Sequence, residues 1–570
     1  MAQVLSRILE EMERQGAGSQ GQLNRIKLAV VREQHARDVP TNAALLAAAS
    51  PAQREQYYHL FSTKPTRILS GVNVIAIMTK PLPCPHGKCT YCPGGPGSVF
   101  GDVPQSYTGK EPAARRAIRN QFDPYLQVFN RLEQYVATNK VPQKVELIVM
   151  AGTFPADPAE YQEGFITAAF QAMNDFGELF FTGGELRHAL FNAFFELPGD
   201  VHDPLRTARI QEKIRSLRKS TTLAREHERN ERAMIRCIGI TIESKPDYGR
   251  LAQGNAMLAL GATRIELGIQ NLSDAALQKA NRGHTVADSV EATRTLKDLG
   301  FKINMHYMPG LFAAPAEDRE MMRALFSNPD LRPDMLKIYP VMVLRGTALY
   351  NQWKAGAFTP LTTEEAAELI AEFKQHVPRY CRIMRVQRDI PTYMTEAGVG
   401  RTNIRQYIRR IMEERGIRCS CIRCREVGLY LKNHPGAAIH PDDVRIRAEE
   451  YAASQGTEFF VAAEDIRHDA LIGFCRMRFP SQCLRAEITP GAALIRELHV
   501  YGNVELLGSS GALQHAGYGK KLLAAAEGIA RERGRDKMVV ISGIGVREYY
   551  RKLGYASEGL YMTKPLAKSF

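Results

Sequence analysis

Three cysteines lie close together in the segment CPHGKCTYCPGGPG, at positions 84, 89 and 92. Three thiolates on one short loop can hold a zinc ion or three irons of a [4Fe–4S] cluster. A structural zinc site takes four ligands, whereas a cluster held by Cys84, Cys89 and Cys92 alone leaves one iron open. An open iron can bind S-adenosylmethionine through its amino and carboxylate groups and reduce its sulfonium. The segment therefore predicts a [4Fe–4S] cluster with bound S-adenosylmethionine, and a zinc knuckle is the alternative.

Strand-like segments alternate with amphipathic helical segments from residue 71 to about 390. The candidate strands are 72–79, 144–152, 236–243, 263–270, 301–310, 335–343 and 381–389. Near-continuous apolar strands that alternate with helices indicate a parallel sheet covered by helices. Seven such units predict an α/β fold, a partial or full TIM-like barrel with its active site at the carboxyl ends of the strands. Because Cys84 follows the first strand, the cysteine loop is expected at that end.

Polar and small residues occur at the ends of other predicted strands. Gly152 ends the strand that runs into MAGTFP, where backbone groups can meet the amino-acid end of a cofactor. Glu266 and Gln270 lie in RIELGIQ and carry groups able to bond ribose hydroxyls. We predict that these three residues bind S-adenosylmethionine.

A second cysteine cluster, RCSCIRC, places Cys419, Cys421 and Cys424 between the predicted barrel and a second predicted catalytic domain at the C-terminal end of the chain. Three thiolates this close predict structural zinc, with a second iron–sulfur cluster or free thiols as alternatives. The fourth ligand is open among three candidates, which are Cys381, His434 and His440.

The segment QHAGYGKKL gives Gln514, Gly517 and Gly519 immediately before an amphipathic helix. Glycines at a helix start expose backbone N–H groups, and the helix dipole favours anions such as a pyrophosphate there. This loop resembles the acetyl-CoA loop of the GNAT acetyltransferases. Tyr549 or Tyr550 is then placed to protonate a leaving CoA thiolate, and packing is the alternative role for both.

The net charge is +14, and basic residues cluster at 20–80, 206–236 and 401–425. Such blocks attract phosphate backbones and favour a nucleic-acid partner. Ten cysteines without a signal peptide, and no apolar run of about twenty residues, predict a cytoplasmic protein with no membrane segment. Four regions are expected, namely a basic helical region at 1–70, the barrel at 71–390, a basic linker with the cysteine cluster at 391–454, and an α+β acetyltransferase domain at 455–570.

Motifs along most of the chain resemble the family formed by the catalytic subunit of Elongator and its stand-alone archaeal and bacterial relatives, the radical SAM tRNA uridine acetyltransferases. The segments that carry the resemblance are KPTR, CPHGKCTYCPGGPGS, QSYTGKEP, RCIGITIESKPDY, TRIELGIQ, NRGHT, KIYPVMVLRGTALY, RVQRDIP, RELHVYG and ISGIGVREYYRKLGY. The chain departs from that family in two places. Four residues separate its first two cluster cysteines, where the family often has a longer gap, and it has AGTF where eukaryotic members have GGTF. Neither departure removes a ligand.

The resemblance implies carboxymethylation at C5 of the wobble uridine in tRNA, with S-adenosylmethionine and acetyl-CoA as cosubstrates. It also implies that acetyl-CoA contacts Lys144, Glu497, Leu498, His499, Val500, Tyr518, Gly519, Lys520 and Tyr550. The implied partners are the anticodon stem-loop of tRNA and an electron donor, and the sequence identifies no accessory subunit. Two other functions stay open, a protein lysine N-acetyltransferase that uses the barrel as a binding platform and a tRNA-binding scaffold that only hydrolyses acetyl-CoA.

Overall fold

The computed structural model describes residues 2–36, 38–61, 71–138, 140–200, 203–434, 436–501 and 517–567. Five helices form the N-terminal region, α1 (Ala2–Arg14), α2 (Gln20–Glu33), α3 (Asn42–Ala48), α4 (Pro51–Gln56) and α5 (Tyr58–Phe61). They pack around a small apolar core of their own. Pro51 lies in the first turn of α4, where its missing N–H costs no hydrogen bond, so a new helix begins there after α3 ends at Ala48. Residues 62–70 of the predicted region lie outside the described residues.

The middle of the chain alternates strands and helices. Its first part contains β1 (Asn73–Met78), β2 (Gly95–Ser98), β3 (Gly101–Val103), α6 (Pro112–Arg119), α7 (Pro124–Val136), β4 (Lys144–Met150), α8 (Ala159–Phe180), β5 (Phe181–Thr182), β6 (Glu185–Leu186), α9 (His188–Phe194), α10 (Pro204–Leu217), α11 (Leu223–Arg232), β7 (Arg236–Ser244), α12 (Leu251–Ala259) and β8 (Ala262–Gln270). Its second part contains α13 (Asp274–Lys279), α14 (Val286–Asp298), β9 (Lys302–Tyr307), α15 (Pro315–Ser327), β10 (Met335–Ile338), β11 (Met342–Leu344), α16 (Ala348–Lys354), α17 (Thr363–Lys374), β12 (Arg382–Arg385), β13 (Thr395–Gly398), α18 (Ile404–Glu414), α19 (Ile422–Arg425) and α20 (Val427–Asn433).

Seven parallel strands form one sheet in the order β1-β4-β7-β8-β9-β10-β12. Its edge strands β1 and β12 form no ladder with each other in the described chain, so the sheet is an open half-barrel. The predicted α/β barrel is thus confirmed in its partial form. All seven candidate strands of the sequence occur in this sheet.

The two faces of the half-barrel differ in chemistry. One face is apolar, with Leu147, Ile242 and Ile265 fully buried, and it packs against the surrounding helices. Because side chains alternate along a strand, the other face carries the residues between them. These concave-face residues are mostly charged or polar, and they include Glu146, Thr241, Glu243, Arg264, Glu266, Lys302, Asn304, His306 and Lys337.

The C-terminal domain is a second seven-stranded sheet. Its elements are β14 (Val444–Ala453), β15 (Gly456–Asp465), β16 (Ala470–Phe479), β17 (Ala492–Val500), α21 (Tyr518–Glu532), β18 (Lys537–Val540), α22 (Arg547–Arg551), β19 (Ala556–Glu558) and β20 (Tyr561–Pro565). The order is β14-β15-β16-β17-β18-β20-β19, and only the β17–β18 pair is parallel. β14 lies upstream of residue 455 yet pairs with β15 along its length. Among the described residues, no helix combines the length and the apolar character that a membrane crossing requires.

Buried ion pairs join the two domains. Arg496 on β17 is fully buried, and its guanidinium donates to Asp334, at 2.5 and 2.8 Å, and to Glu458, at 2.9 Å. Arg478 on β16 donates to Asp298 at 2.7 Å and to Glu458 at 3.0 Å. Burial alone would raise the pKa of Asp334, but Arg496 and Arg476 hold it well below its ordinary value. Since Asp334 precedes β10 and Asp298 ends α14, the C-terminal domain is fixed at the amino ends of the barrel strands.

We expect Arg496→Met to lower the free energy of unfolding by about 3–5 kcal/mol, because it leaves Asp334 and Glu458 buried without their cation. Urea unfolding followed by circular dichroism measures the change. Arg533→Met is the matched control, because Arg533 forms an exposed pair with Glu450 on the same domain and should cost about 1 kcal/mol or less. Equal costs for the two variants would show that the buried pairs do not hold the domains together.

Candidate active site

The cysteine loop follows β1 at the carboxyl ends of the barrel strands, as predicted. Cys89 and Cys92 are buried and Cys84 is half-buried. Backbone and side-chain donors point at the sulfurs, since Ser106 N–H donates to Cys92 Sγ at 3.1 Å and Arg282 Nη1 donates to Cys89 Sγ at 3.3 Å. Such donors stabilise negative charge on sulfur and are typical of thiolate ligands.

Two of these thiols, those of Cys84 and Cys92, resist ionisation in the absence of a metal. Burial raises the pKa of Cys92 to about 11. It also raises the pKa of Cys84, although a hydrogen bond with Thr153 opposes the shift. Thiolates form in such surroundings when a metal replaces the proton. The donor set and the burial of these cysteines therefore fit an iron–sulfur cluster.

Gly152 contacts the cysteine loop directly. A Cβ added there would lie 2.6 Å from Cys84 Sγ and 3.2 Å from the Gln105 side chain. Gln105 Oε1 in turn accepts from the Cys84 N–H at 2.6 Å. The end of β4 and the cysteine loop thus approach as closely as a glycine allows. The predicted contact of Gly152 with S-adenosylmethionine stays a prediction.

Arg282 is a site residue that the sequence reasoning missed. It is buried, and besides Cys89 its guanidinium donates to the Gly268 carbonyl at 2.6 Å. The sequence motif NRGHT, which contains Arg282, could have pointed to it. In the structure, Gly283 of this motif has φ +66°, and a Cβ added there would lie 2.7 Å from the Cβ of His86. His86 Nε2 lies 3.1 Å from Cys89 Sγ. Burial, with Lys245 and Arg282 nearby, lowers the pKa of His86 to about 4, so its ring is neutral at pH 7.

The two predicted ribose ligands differ in availability. Glu266 is 1% exposed, and its carboxylate already accepts from Asn304 Nδ2 at 3.0 Å, from His306 Nε2 at 2.9 Å and from the Lys337 ammonium. Gln270 ends β8 with φ +66°, and its buried Oε1 has no hydrogen-bond donor among the described residues. Gln270 is therefore the freer of the two to meet a ligand.

The second cysteine cluster is more compact. The sulfurs of Cys419, Cys421 and Cys424 all lie within 4.8 Å of one another. Lys374 Nζ lies 3.8 Å from Cys424 Sγ, and the thiols hold the pKa of Lys374 above its ordinary value against the effect of burial. Of the fourth-ligand candidates, His434 contacts the Tyr430 carbonyl oxygen through Nδ1 and stacks on the Tyr430 ring. Among the described residues, none of the candidates lies within this spacing of all three sulfurs.

The acetyl-CoA loop of the sequence analysis is described only from Gly517 onward, and Gln514 lies outside the described residues. Gly517 is the N-cap of α21 with φ +69°. A Cβ at Gly519 would lie 2.8 Å from the Tyr549 hydroxyl and 3.8 Å from Val500. The fold therefore brings Val500, Gly519 and Tyr549 together.

The other residues of this group lie around that point. Tyr550 is buried beside Tyr549, with the rings edge to face, and burial raises its pKa further above 10. Glu497 accepts from Arg476 at 2.8 Å, and His499 stacks against Phe474 with its buried Nε2 lacking a partner among described residues. Leu498, Tyr518 and Lys520 belong to the same strand and helix start.

Lys144 lies at the amino end of β4, opposite Arg236 in register. Gly545 of the C-terminal domain packs against Arg236, where its Cβ would lie 2.6 Å away. Lys144 is thus at the barrel end that faces the acetyltransferase-like domain, as a contact with acetyl-CoA requires.

Four family models match successive parts of the chain. The Radical SAM superfamily matches residues 83–325, and its C-terminal domain family matches 333–414. The ELP3 N-terminal domain matches 1–69, and the GNAT acetyltransferase family matches 429–555. The fold and the cysteine loop thus define a radical SAM protein with a GNAT acetyltransferase domain, a class that uses a [4Fe–4S] cluster, S-adenosylmethionine and acetyl-CoA.

Relatives match almost the whole chain. The tRNA uridine(34) acetyltransferase of Methanocaldococcus jannaschii is 42% identical, over 99% of this chain and 97% of its own. Elongator complex protein 3 of Homo sapiens is 38% identical, over 99% and 96%. The solved structure of Methanocaldococcus infernus Elp3 with an N-terminal deletion superposes with a TM-score of 0.71 at 38% identity, covering 87% of this chain and 100% of that one. The chain belongs to the family of tRNA uridine(34) acetyltransferases and Elongator complex protein 3.

We expect Gly152→Val to reduce the iron bound after anaerobic reconstitution by more than half, because its side chain would displace Cys84 Sγ. Iron analysis and the absorbance of the protein measure the loss. Gly164→Ala on α8 is the control, since a Cβ there meets nothing within 4 Å and iron should be unchanged. Full iron in Gly152→Val would show that Cys84 does not hold the cluster.

Proposed function

We propose that this protein is a tRNA-modifying enzyme that carboxymethylates C5 of the wobble uridine, using acetyl-CoA and S-adenosylmethionine. The observation that supports it is the joining of two sites in one rigid unit. The three-cysteine loop lies at one end of the half-barrel, and the GNAT domain is fixed to the other end by buried ion pairs. The curated relatives that span the whole chain carry the name of a tRNA uridine(34) acetyltransferase.

Each group has an assigned task in this proposal. Cys84, Cys89 and Cys92 hold the cluster, while Ser106 and Arg282 donate to its sulfur ligands. When bound, the cluster and S-adenosylmethionine supply a 5′-deoxyadenosyl radical able to remove hydrogen from the acetyl methyl group. The start of α21 holds the CoA pyrophosphate with its free N–H groups. Tyr549 and Tyr550 are placed to donate a proton toward the thioester sulfur.

Electrostatic attraction brings tRNA to the barrel, but less strongly than the number of basic residues suggests. In the block 206–236, Arg209 and Lys213 both pair with Glu196, and Arg229 pairs with three acids. Intrahelical pairs also neutralise arginines of α18. The remaining charge steers the phosphate backbone without reading bases.

We also propose that Cys419, Cys421 and Cys424 hold a structural zinc ion. Two sulfurs on one zinc, each about 2.3 Å from the ion, lie roughly 4 Å apart in tetrahedral geometry, which suits the observed spacing. Three thiolates on a divalent zinc ion leave one negative charge, which the Lys374 ammonium offsets. The cluster lies between β12 and the C-terminal sheet, where a metal supports the orientation of the two domains.

Cys89→Ser should abolish carboxymethyluridine formation, because it removes a cluster ligand. In the assay, the protein reacts with tRNA, S-adenosylmethionine, dithionite and acetyl-CoA. The tRNA is then digested to nucleosides, and the wobble nucleoside is identified by mass spectrometry. Cys483→Ser, at an exposed cysteine, is the control and should retain full product. Product from Cys89→Ser would refute the assignment, and peptide acetylation without reductant would instead support a protein acetyltransferase.

Cys421→Ser should lose bound zinc, expected at about one ion per chain in the unaltered protein, and should lower thermal stability. Metal analysis of aerobically purified protein measures the zinc content, and thermal unfolding measures the stability. Cys381→Ser removes a neighbouring buried thiol that lies outside the three-sulfur group, and it should keep its zinc. Zinc-free unaltered protein would overturn the proposal.

A further inference from the structure

A polar cluster occupies the concave face of the half-barrel near the cysteine loop. Glu243, Glu266 and Asn304 are neighbours in register on β7, β8 and β9. One step nearer the carboxyl ends, His306 on β9 pairs in register with Lys337 on β10. Burying a charged group costs free energy unless the group is paired within the protein or interacts with a ligand.

Glu266 is the internal anion of this cluster. Asn304, His306 and Lys337 all donate to it, so its own hydrogen-bonding needs are met. Ligand atoms of Glu243, Glu266 and His306 lie within 4.8 Å of one another, a spacing that a metal ion can bridge. The Lys337 ammonium already supplies the cation next to Glu266, which disfavours a metal there.

Glu243 differs, because one of its oxygens is left for a ligand. Its Oε2 accepts from the Tyr107 hydroxyl at 2.7 Å. Its Oε1 lies 4.0 Å from Lys337 Nζ, beyond hydrogen-bond length. The side chains of Glu243 and Lys337 keep 14% and 10% of their surface exposed. A carboxylate acceptor and an ammonium donor therefore lie side by side on the concave face, and both keep some exposed surface.

Two further groups mark the place as a binding site. Asn304 is fully buried, and its Oδ1 has no hydrogen-bond donor anywhere in the described chain. The Tyr339 ring meets the His306 ring edge to face, with centroids 5.5 Å apart, and forms an aromatic wall. A planar ligand that has an N–H next to a carbonyl oxygen would donate to the Glu243 carboxylate and accept from the Lys337 ammonium. Its ring would pack on this aromatic wall.

We propose that Glu243 and Lys337 read the Watson–Crick edge of the flipped uracil, with N3–H donating to Glu243 Oε1 and a ring carbonyl accepting from Lys337. The proposal rests on the proposed function, which brings a wobble uridine into the barrel. Cytosine has the same ring size but presents a lone pair at N3, which the Glu243 carboxylate repels. The pair therefore selects uridine over cytidine at the wobble position.

The test measures binding and needs no catalysis. Anticodon stem-loops that differ only at the wobble base, with uridine, cytidine or 3-methyluridine, are titrated against anaerobically reconstituted full-length protein by fluorescence anisotropy. A hydrogen bond to a charged group predicts that uridine binds about tenfold or more tightly than the other two bases. Glu243→Gln should reduce this preference to about threefold or less, because its amide can turn its NH₂ toward N3 of cytosine.

Glu146→Gln is the matched control, the same substitution on the same concave face. Glu146 pairs with Gly239, four residues before Glu243 on β7 and thus roughly 13 Å nearer the amino ends. It should retain the preference for uridine. A preference that persists in Glu243→Gln, or that falls equally in Glu146→Gln, would overturn the inference. So would an unaltered protein that binds the three stem-loops equally.

The outcomes also separate this inference from the proposed function. Carboxymethyluridine formed by the unaltered protein together with undiminished discrimination in Glu243→Gln refutes the uracil contact alone. Discrimination that depends on Glu243, without any carboxymethyluridine product, supports the uracil contact and refutes the proposed reaction.

Discussion

Three buried arginines on β16 and β17 fix the relation between the two catalytic parts of this protein. Arg476, Arg478 and Arg496 have almost no exposed surface, and their carboxylate partners come from both domains. Separating the domains would break these ion pairs and would require water to solvate both the arginines and their carboxylate partners. The two parts therefore behave as one body. The position of each active site follows from this constraint.

The constraint places the two sites at opposite ends of the barrel strands. β9 has six residues and β8 has nine, so the ends lie roughly 20–30 Å apart at about 3.3 Å per residue. In the proposed reaction, an acetyl unit bound at α21 has to cover that length to meet the cysteine loop. The polar concave face runs between the two ends, and the opposite charges of Lys302 on this face and Glu497 on β17 interact. Under the proposed function, the polarity of the half-barrel interior would serve transfer between the sites as well as recognition.

Local patterns made much of this fold predictable. All seven barrel strands and the position of the cysteine loop follow from short-range periodicity and turn chemistry. The extent of barrel closure was not predictable, because it depends on whether β1 and β12 meet. Arg282 was missed for a similar reason, since it reaches Cys89 across a long sequence separation. RIELGIQ shows the limit most clearly, because its alternation reveals an inward Glu266 but not the three donors from Asn304, His306 and Lys337 that occupy it.

The two cysteine clusters show how surroundings decide what identical residues do. At the cysteine loop, Ser106 N–H and the Arg282 guanidinium point at separate sulfurs, and Gly152 lets β4 approach Cys84 as closely as a glycine allows. At Cys419, Cys421 and Cys424 the sulfurs crowd together, and a single lysine lies beside them. A spread set with its own donors suits a cluster that shares charge over many atoms, whereas a crowded set suits one small ion. In the proposed assignments, the same side chain thus holds an iron–sulfur cluster at one end of the half-barrel and a structural ion beside the other domain.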